Sequence, residues 1–169
     1  DIDPSAAADT VTAIEAEGGQ ALSMVCDVTS DLSVREAAVT AERALGAIDI
    51  VVNNVGAIIN GHPEDIPVAE WERILSLNLL SVVRSNAVFL PKMIARGHGY
   101  IVNTGSFAGL YPFAVSRMPY VAAKSAVIAL SESLALYLRP QGVNVSCFCP
   151  GPVMTNVMDS MKTWSTNVV

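Results

Sequence analysis

The chain is poor in charge, poor in basic residues, nearly free of cysteine, and without a long unbroken apolar run. Only 15% of its 169 residues are charged while 51% are apolar, a balance opposite to that of a disordered segment. Lys and Arg number 10 against 16 Asp and Glu, a net charge of −6 with no basic cluster, which argues against nucleic-acid binding and its positive footprint. No apolar run approaches the ~18 residues of a membrane span, although the mean hydropathy is +0.43. The opening Asp1-Ile2-Asp3-Pro4 lacks the basic flank and apolar stretch of a secretory signal. It also lacks an initiator methionine, so a preceding segment is expected. The three cysteines, Cys26, Cys147 and Cys149, are an odd number in a chain of ordinary size and read as reduced thiols of a cytoplasmic protein. Repeats, low-complexity tracts and linkers are absent. What is there fits one domain, residues 1–169, with a sizeable core.

Helical periods alternate with short β-branched runs. Asp3 followed by Pro4 starts a helix that Gly18-Gly19 ends, with Ala7, Val11 and Ile14 on one face. Residues 21–26 predict a strand ending at Asp27. A second helix is expected from about Ser33 to Leu45, capped by Ser30 or Asp31, with Val34, Ala38, Ala41 and Leu45 inward. Residues 48–52 form a nearly continuous apolar run, expected as a parallel-sheet strand buried on both faces. Pro67 opens a long helix from Val68 towards Ala95, which Pro91 should kink or divide. Further strands are expected at 100–103 and 143–148, with a helix over roughly Pro119–Leu138 between them. Strands alternating with helices predict an α/β fold, a doubly wound parallel sheet in three αβα layers.

In such sheets ligands bind beyond the carboxyl ends of the strands. There the sequence places Asp27-Val28, Asn53-Asn54-Val55-Gly56, Thr104-Gly105-Ser106 and Pro150-Gly151-Pro152-Val153. All four groups are polar or contain glycine. Tyr120 and Lys124 stand four residues apart on one face of the following helix. A free phenol, with a pKa of ~10, holds its proton too tightly for neutral-pH chemistry. A fixed ammonium ~4 Å away would favour phenolate by ~4 kcal/mol and bring the proton within reach of general acid–base work. By itself the pair equally suits a surface tyrosine beside a solvated lysine.

Together these residues resemble the short-chain dehydrogenase/reductase family over nearly the whole chain. Tyr120 and Lys124 match its Tyr-x-x-x-Lys signature, Ser106 its catalytic serine, and Asn78 the Asn that completes its tetrad. Asn53-Asn54-Val55-Gly56 is similar to its Asn-Asn-Ala-Gly motif, with Val in place of Ala. Asp27-Val28 resembles the pair that contacts adenine. Pro150-Gly151-Pro152-Val153-Met154-Thr155 resembles the segment that holds the nicotinamide carboxamide. Asp1 matches the acidic residue that binds the adenosine ribose and selects NAD over NADP.

The resemblance implies a Rossmann-like fold and hydride transfer between NAD and a secondary alcohol or ketone. Tyr120 would be general acid/base, Lys124 would lower its pKa and bind the nicotinamide ribose, Ser106 would hold the substrate oxygen, and Asn78 would position a relay water. Cofactor contacts would come from Asp1, Asp27, Val28, Asn54, Gly56, Tyr120, Lys124, Pro150, Gly151, Val153 and Thr155. No metal is implied. A homotetramer or homodimer through the two long helices is expected, with neither nucleic acid nor membrane as partner. A catalytically silent binding or assembly subunit is the competing class. An epimerase or dehydratase would need a larger substrate domain.

Two departures stand out. Ser106 and Tyr120 are 14 residues apart, one more than usual in the family, so the loop at 107–117 is expected to carry an insertion. The family's glycine-rich pyrophosphate loop, with its first strand and helix, is absent. Thr104-Gly105-Ser106-Phe107-Ala108-Gly109 imitates that loop, but Tyr111 occupies the place of its third glycine. The expectation is therefore a piece of a longer enzyme whose sheet and helix faces find partners outside it, folding poorly and binding dinucleotide weakly alone.

Other features have plainer readings. Cys147-Phe148-Cys149 lacks a second ligand pair and reads as core packing. Asn144-Val145-Ser146 matches a glycosylation sequon but falls in a strand expected to be buried. His62 has a weak claim to touch substrate, and His98 has no partner pattern. Met154, Met158, Met161 and Trp164 fall where the family carries a substrate lid.

Overall fold

The computed structural model describes residues 1–111, 114–153, 157 and 161–166. They form two compact units, Asp1–Ile48 and Asp49–Val169.

In the first unit, helix α1 (Pro4–Ala16) starts as the sequence predicts. The Asp3 carboxylate accepts from the Ser5 and Ala6 N–H groups at 2.8 and 3.3 Å, and Gly18 turns the chain with φ +80°. Residues 21–26 do not form the expected strand. Among the described residues their main-chain partner is Asp1, whose amine donates to the Met24 carbonyl at 3.2 Å and whose carbonyl accepts from the Cys26 N–H at 2.9 Å. A β-run becomes a strand only when a neighbour supplies donors and acceptors along its length, and one residue cannot. Helix α2 (Asp31–Leu45) is capped by Ser30, whose hydroxyl accepts from the Ser33 N–H at 3.3 Å. Val34 and Ala38 are buried as expected, whereas Leu45 is 56% exposed.

The second unit holds a parallel sheet of β1 (Ile50–Asn53), β3 (Gly99–Thr104) and β4 (Val143–Phe148), in the order β1-β3-β4. Its register runs from Ile50, Tyr100 and Asn144 to Asn53, Asn103 and Cys147. Parallel strands cannot be joined by hairpins, and helices make the crossovers here. The result is an α/β, Rossmann-like fold.

The face bearing Val51, Ile101 and Val143 is buried, and helices cover it. Ile50, Val52 and Phe148, on the other face, are each about 60% exposed among the described residues. The 48–52 run is thus packed on one side only. Its β-branched composition suits a strand whether one face or two are covered, so composition alone could not tell these cases apart.

The long helix is continuous but not uniform. α3 (Val68–Leu75) passes through a π-turn at Ser76–Leu80 into α4 (Ser81–Arg96). Pro91 lies inside α4 without dividing it. Pro91 and Ala87, whose carbonyl loses its N–H partner, are both on the exposed side, where water can serve that carbonyl. The widening falls at Asn78 instead. There the Ser81 N–H reaches back to the Ser76 carbonyl, five residues away. Carbonyls in and just before this turn accept from side chains: Ile74 from Asn78 Nδ2 at 2.9 Å, Leu77 from Ser81 Oγ at 2.6 Å and Ser76 from Arg84 Nη1 at 3.4 Å.

Helix α6 (Met118–Leu138) follows the short helix α5 (Phe107–Leu110). The helical stretches Val68–Arg96 and Met118–Gln141 are long and apolar enough, by length and composition, to cross a membrane, which no single apolar run in the sequence suggested. Here they pack against the sheet and its strands, and each carries a buried polar residue, Asn78 or Lys124.

A second parallel pair was not foreseen. β2 (Ile59–Asn60) pairs with β5 (Lys162–Thr163), joining the loop after β1 to the end of the chain. Ser165 Oγ secures it, accepting from the His62 N–H and donating to Asp65, both at 2.7 Å.

Candidate active site

The carboxyl ends of β1, β3 and β4 are where the polar groups gather. β3 ends at Thr104, and the Thr104 carbonyl accepts from Lys124 Nζ at 2.6 Å. Thr104 Oγ1 donates to Asn54 Oδ1 at 3.0 Å, tying the Asn-Asn-Val-Gly turn to the same spot. Two residues on, Ser106 caps α5, its hydroxyl accepting from the Ala108 N–H at 3.2 Å. The Phe107 N–H donates to the Pro150 carbonyl at 2.9 Å, so the serine turn is fastened to the Pro-Gly segment after β4.

Tyr120 and Lys124 occupy successive turns at the start of α6, with Lys124 Nζ 5.8 Å from the Tyr120 ring centroid. Tyr120 packs against the cluster of Ala57, Ile59, Ile66 and Ile74. Lys124 is only 3% exposed, and burial pulls its ammonium down to about 8. The neighbouring Cys147 and Cys149 pull the other way.

Asn78 is 1% exposed and holds the loop after β1 with its amide group. Its Oδ1 accepts from the Ala57 N–H at 3.2 Å, and its Nδ2 donates to the carbonyls of Ala57 and Ile74 at 3.0 and 2.9 Å. A Cβ on Gly56 would come within 2.7 Å of Asn78 Oδ1 and 3.6 Å of Lys124 Nζ. Glycine is what lets this turn lie against both groups.

Below Ser106, the Cys147 and Cys149 thiols are 3.7 Å apart. A Cβ on Gly105 would approach both sulfurs at 2.9 Å. Burial pushes the Cys149 thiol up, while the Ser106 N–H bonded to it and the Lys124 charge act against that. Packing thiols are what the sequence suggests, and among the described residues no cluster of three potential metal ligands occurs.

The structure therefore gathers Asn54, Gly56, Asn78, Tyr120 and Lys124 around the end of β3, with Ser106 and Pro150 fastened beside it. Gly151 has open space where a side chain would stand, and Val153 is 59% exposed. Thr155, Met154 and Met158 lie outside the described residues. Asp1, Asp27 and Val28 belong to the first unit. There Asp27 Oδ1 accepts from the Thr29 N–H and hydroxyl at 2.8 and 2.7 Å, closing the turn that includes Val28. The sequence reading places Thr104 at the strand end but gives it no role, because its contribution is a main-chain carbonyl with no residue signature. It missed the pairing of Asn103 with Ser131, whose signal was a polar residue ending an apolar strand.

Comparison with known proteins agrees with this geometry. The short chain dehydrogenase family matches residues 1–166. A relative described as ketoacyl reductase HetN, from Nostoc sp., is 35% identical over 88% of this chain and 52% of its own length. A relative described as an inactive 2-(S)-hydroxypropyl-CoM dehydrogenase, from Xanthobacter autotrophicus, is 36% identical over 83% of this chain and 61% of its own. The crystal structure of a short chain dehydrogenase/reductase from Burkholderia phymatum in complex with NAD superposes with a TM-score of 0.90 at 32% identity, over 95% of this chain and 58% of that one. The chain thus spans between half and two thirds of the length of these proteins. On its fold, its site and these similarities, the chain belongs to the short chain dehydrogenase family.

Proposed function

We propose that the chain carries the catalytic machinery of an oxidoreductase that exchanges hydride between NAD and a secondary alcohol or ketone. The observation that supports this best is the meeting of Tyr120, Lys124 and Asn78 around the end of β3, two residues before Ser106. When bound, the nicotinamide ring supplies or accepts the hydride.

The residues present suit such a cofactor. Among the described residues Lys124 spends one of its three N–H donors on Thr104, leaving two for ribose hydroxyls. Gly56 and Gly151 bring bare backbone to the same end of the sheet. By the family resemblance, Asn54, Pro150, Val153 and Thr155 would meet the nicotinamide, and Asp1, Asp27 and Val28 the adenosine.

Tyr120 Oη gives its proton to the substrate oxygen in reduction and takes it in oxidation. Ser106 Oγ, which accepts from the Ala108 N–H, keeps its own proton to donate to that oxygen. Lys124 stabilises the charge left on the phenolate. Asn78 holds the Gly56-Ala57 turn with one amide proton and its Oδ1 and gives the other proton to the Ile74 carbonyl, leaving one Oδ1 lone pair for a relay water near Lys124. A binding-only subunit would have no use for this set of four. One relative is described as inactive, so the two classes are separated by direct assay.

The relative described as a ketoacyl reductase supports a ketone or secondary-alcohol substrate. Leu80, Val83, Leu136 and Tyr137 expose 42, 45, 77 and 64% of their surface on the two long helical stretches, which supports a homo-oligomer joined there. The reduced thiols support a cytoplasmic setting. The test is to supply the full protein with NAD and a panel of secondary alcohols, and with NADP as the comparison. Absorbance of reduced nicotinamide should appear with NAD and at least one alcohol. No turnover with either cofactor in either direction would favour the binding subunit.

A further inference from the structure

Three short polar side chains cross the core beneath the site. Asn103, the last residue but one of β3, is fully buried at 0% exposure. Its Nδ2 donates to Ser131 Oγ on α6 at 2.9 Å, and its Oδ1 accepts from Asn53 Nδ2 on β1 at 2.8 Å. Ser131 gives its only proton to the Val127 carbonyl at 2.6 Å, so towards Asn103 it can only accept. That fixes which way the Asn103 amide faces, and its oxygen must then meet the Asn53 amide. Every donor and acceptor between these side chains has one consistent assignment.

Ala123, Lys124, Val127, Ser131 and Leu138 form the buried stripe of α6. Lys124 and Ser131 lie seven residues apart on it, roughly 10 Å along the axis. Both reach β3, Lys124 to the Thr104 carbonyl and Ser131 to Asn103. Their side chains differ in stiffness. Lysine has four rotatable bonds and can follow a helix that slides or turns, so its bond to Thr104 cannot set the helix position. Serine and asparagine have one and two, and a bond between them fixes both slide and rotation.

We propose that Asn103 and Ser131 are positioning residues, locking α6 against β3 so that Tyr120 and Lys124 stand at the end of the strand, with Asn53 extending the tie to the Asn54–Gly56 turn. The effect on turnover rests on the hydride-transfer reading, but the tie itself does not.

Asn103→Ala would remove the partner of the half-buried Asn53 amide and the donor to Ser131 Oγ while opening a cavity beside β3, which mixes several costs, so the test uses Ser131→Ala and Ser131→Thr in the full protein. This sequence holds Lys92, Lys124 and Lys162; carbon-13 labelling of lysine in the full protein gives side-chain signals to follow with pH by NMR, and the Lys124 signal is assigned as the one lost in Lys124→Arg. Lys92 and Lys162 serve as internal references. The titratable groups facing Lys124 are Tyr120, Cys147 and Cys149, and none of them is altered. With the tie cut, α6 loosens, Lys124 gains water, and its titration moves from about 8 towards the ordinary lysine value of 10.5. Ser131→Thr keeps the acceptor oxygen and should titrate like the parent. Turnover should fall about tenfold in Ser131→Ala, with Michaelis constants changed by no more than about twofold. A folded Ser131→Ala whose Lys124 titrates as in the parent would overturn the proposal. A shifted Lys124 in a protein that turns over no alcohol would uphold the tie and remove the hydride-transfer reading instead.

Discussion

Lys124 Nζ donates to the main-chain carbonyl of Thr104 across 2.6 Å while 3% exposed, so the ammonium is held at the end of β3 at the expense of its hydration. One strong bond does not replace a hydration shell, and its lowered pKa of about 8 reflects that imbalance. Such strain at a site is expected where a charge serves chemistry rather than stability.

The sign of the resulting pH dependence is fixed. Between about 8 and 10.5 the unfolded chain holds a proton on Lys124 that the folded chain has released, so this group adds stability as pH rises through that window. Below about 8 both states are protonated, and the folded state bears the whole cost of burying the charge, up to about 3 kcal/mol. Lys124→Met should therefore raise the melting temperature at pH 7, less the loss of the Thr104 bond. Its advantage should vanish as pH approaches 10.5. Thermal melts of both proteins across that range check this.

Asn78→Ala should destabilise by about 3 kcal/mol, because it leaves a buried N–H and two carbonyls without their partners. The loss should appear as a lower urea midpoint. Turnover should fall with it, since the Gly56-Ala57 turn loses its anchor.

Gly105→Ala places a methyl 2.9 Å from two sulfurs and should cost about 1–3 kcal/mol through overpacking. Cys149→Ala made alone opens space there. The double variant should be more stable than the two single costs would sum to, and a double-mutant cycle by urea unfolding measures that coupling.

What could be read from the sequence divides by the kind of signal. Asp3-Pro4 and Ser30 mark helix starts because capping is local chemistry, and both act as caps here. Tyr120, Lys124, Ser106 and Asn78 could be named because side-chain identity and spacing carry the family pattern. The π-turn was invisible, and Pro91 does not divide the helix, since whether a proline breaks a helix depends on which side of the helix is exposed. The run at 21–26 has strand composition but, among the described residues, no neighbouring strand along its length. The pairing of Ile59–Asn60 with Lys162–Thr163 joins segments about a hundred residues apart, and nothing in either dipeptide announces the other.

The measurement that bears most directly on hydride transfer through this site is Tyr120→Phe in the full protein, with turnover and NAD affinity measured on the same preparation. Phenylalanine keeps the ring against Ala57, Ile59, Ile66 and Ile74 and removes only the hydroxyl. Turnover should be abolished while NAD binds with nearly unchanged affinity; turnover equal to the parent would contradict the role of Tyr120 as the proton donor and acceptor.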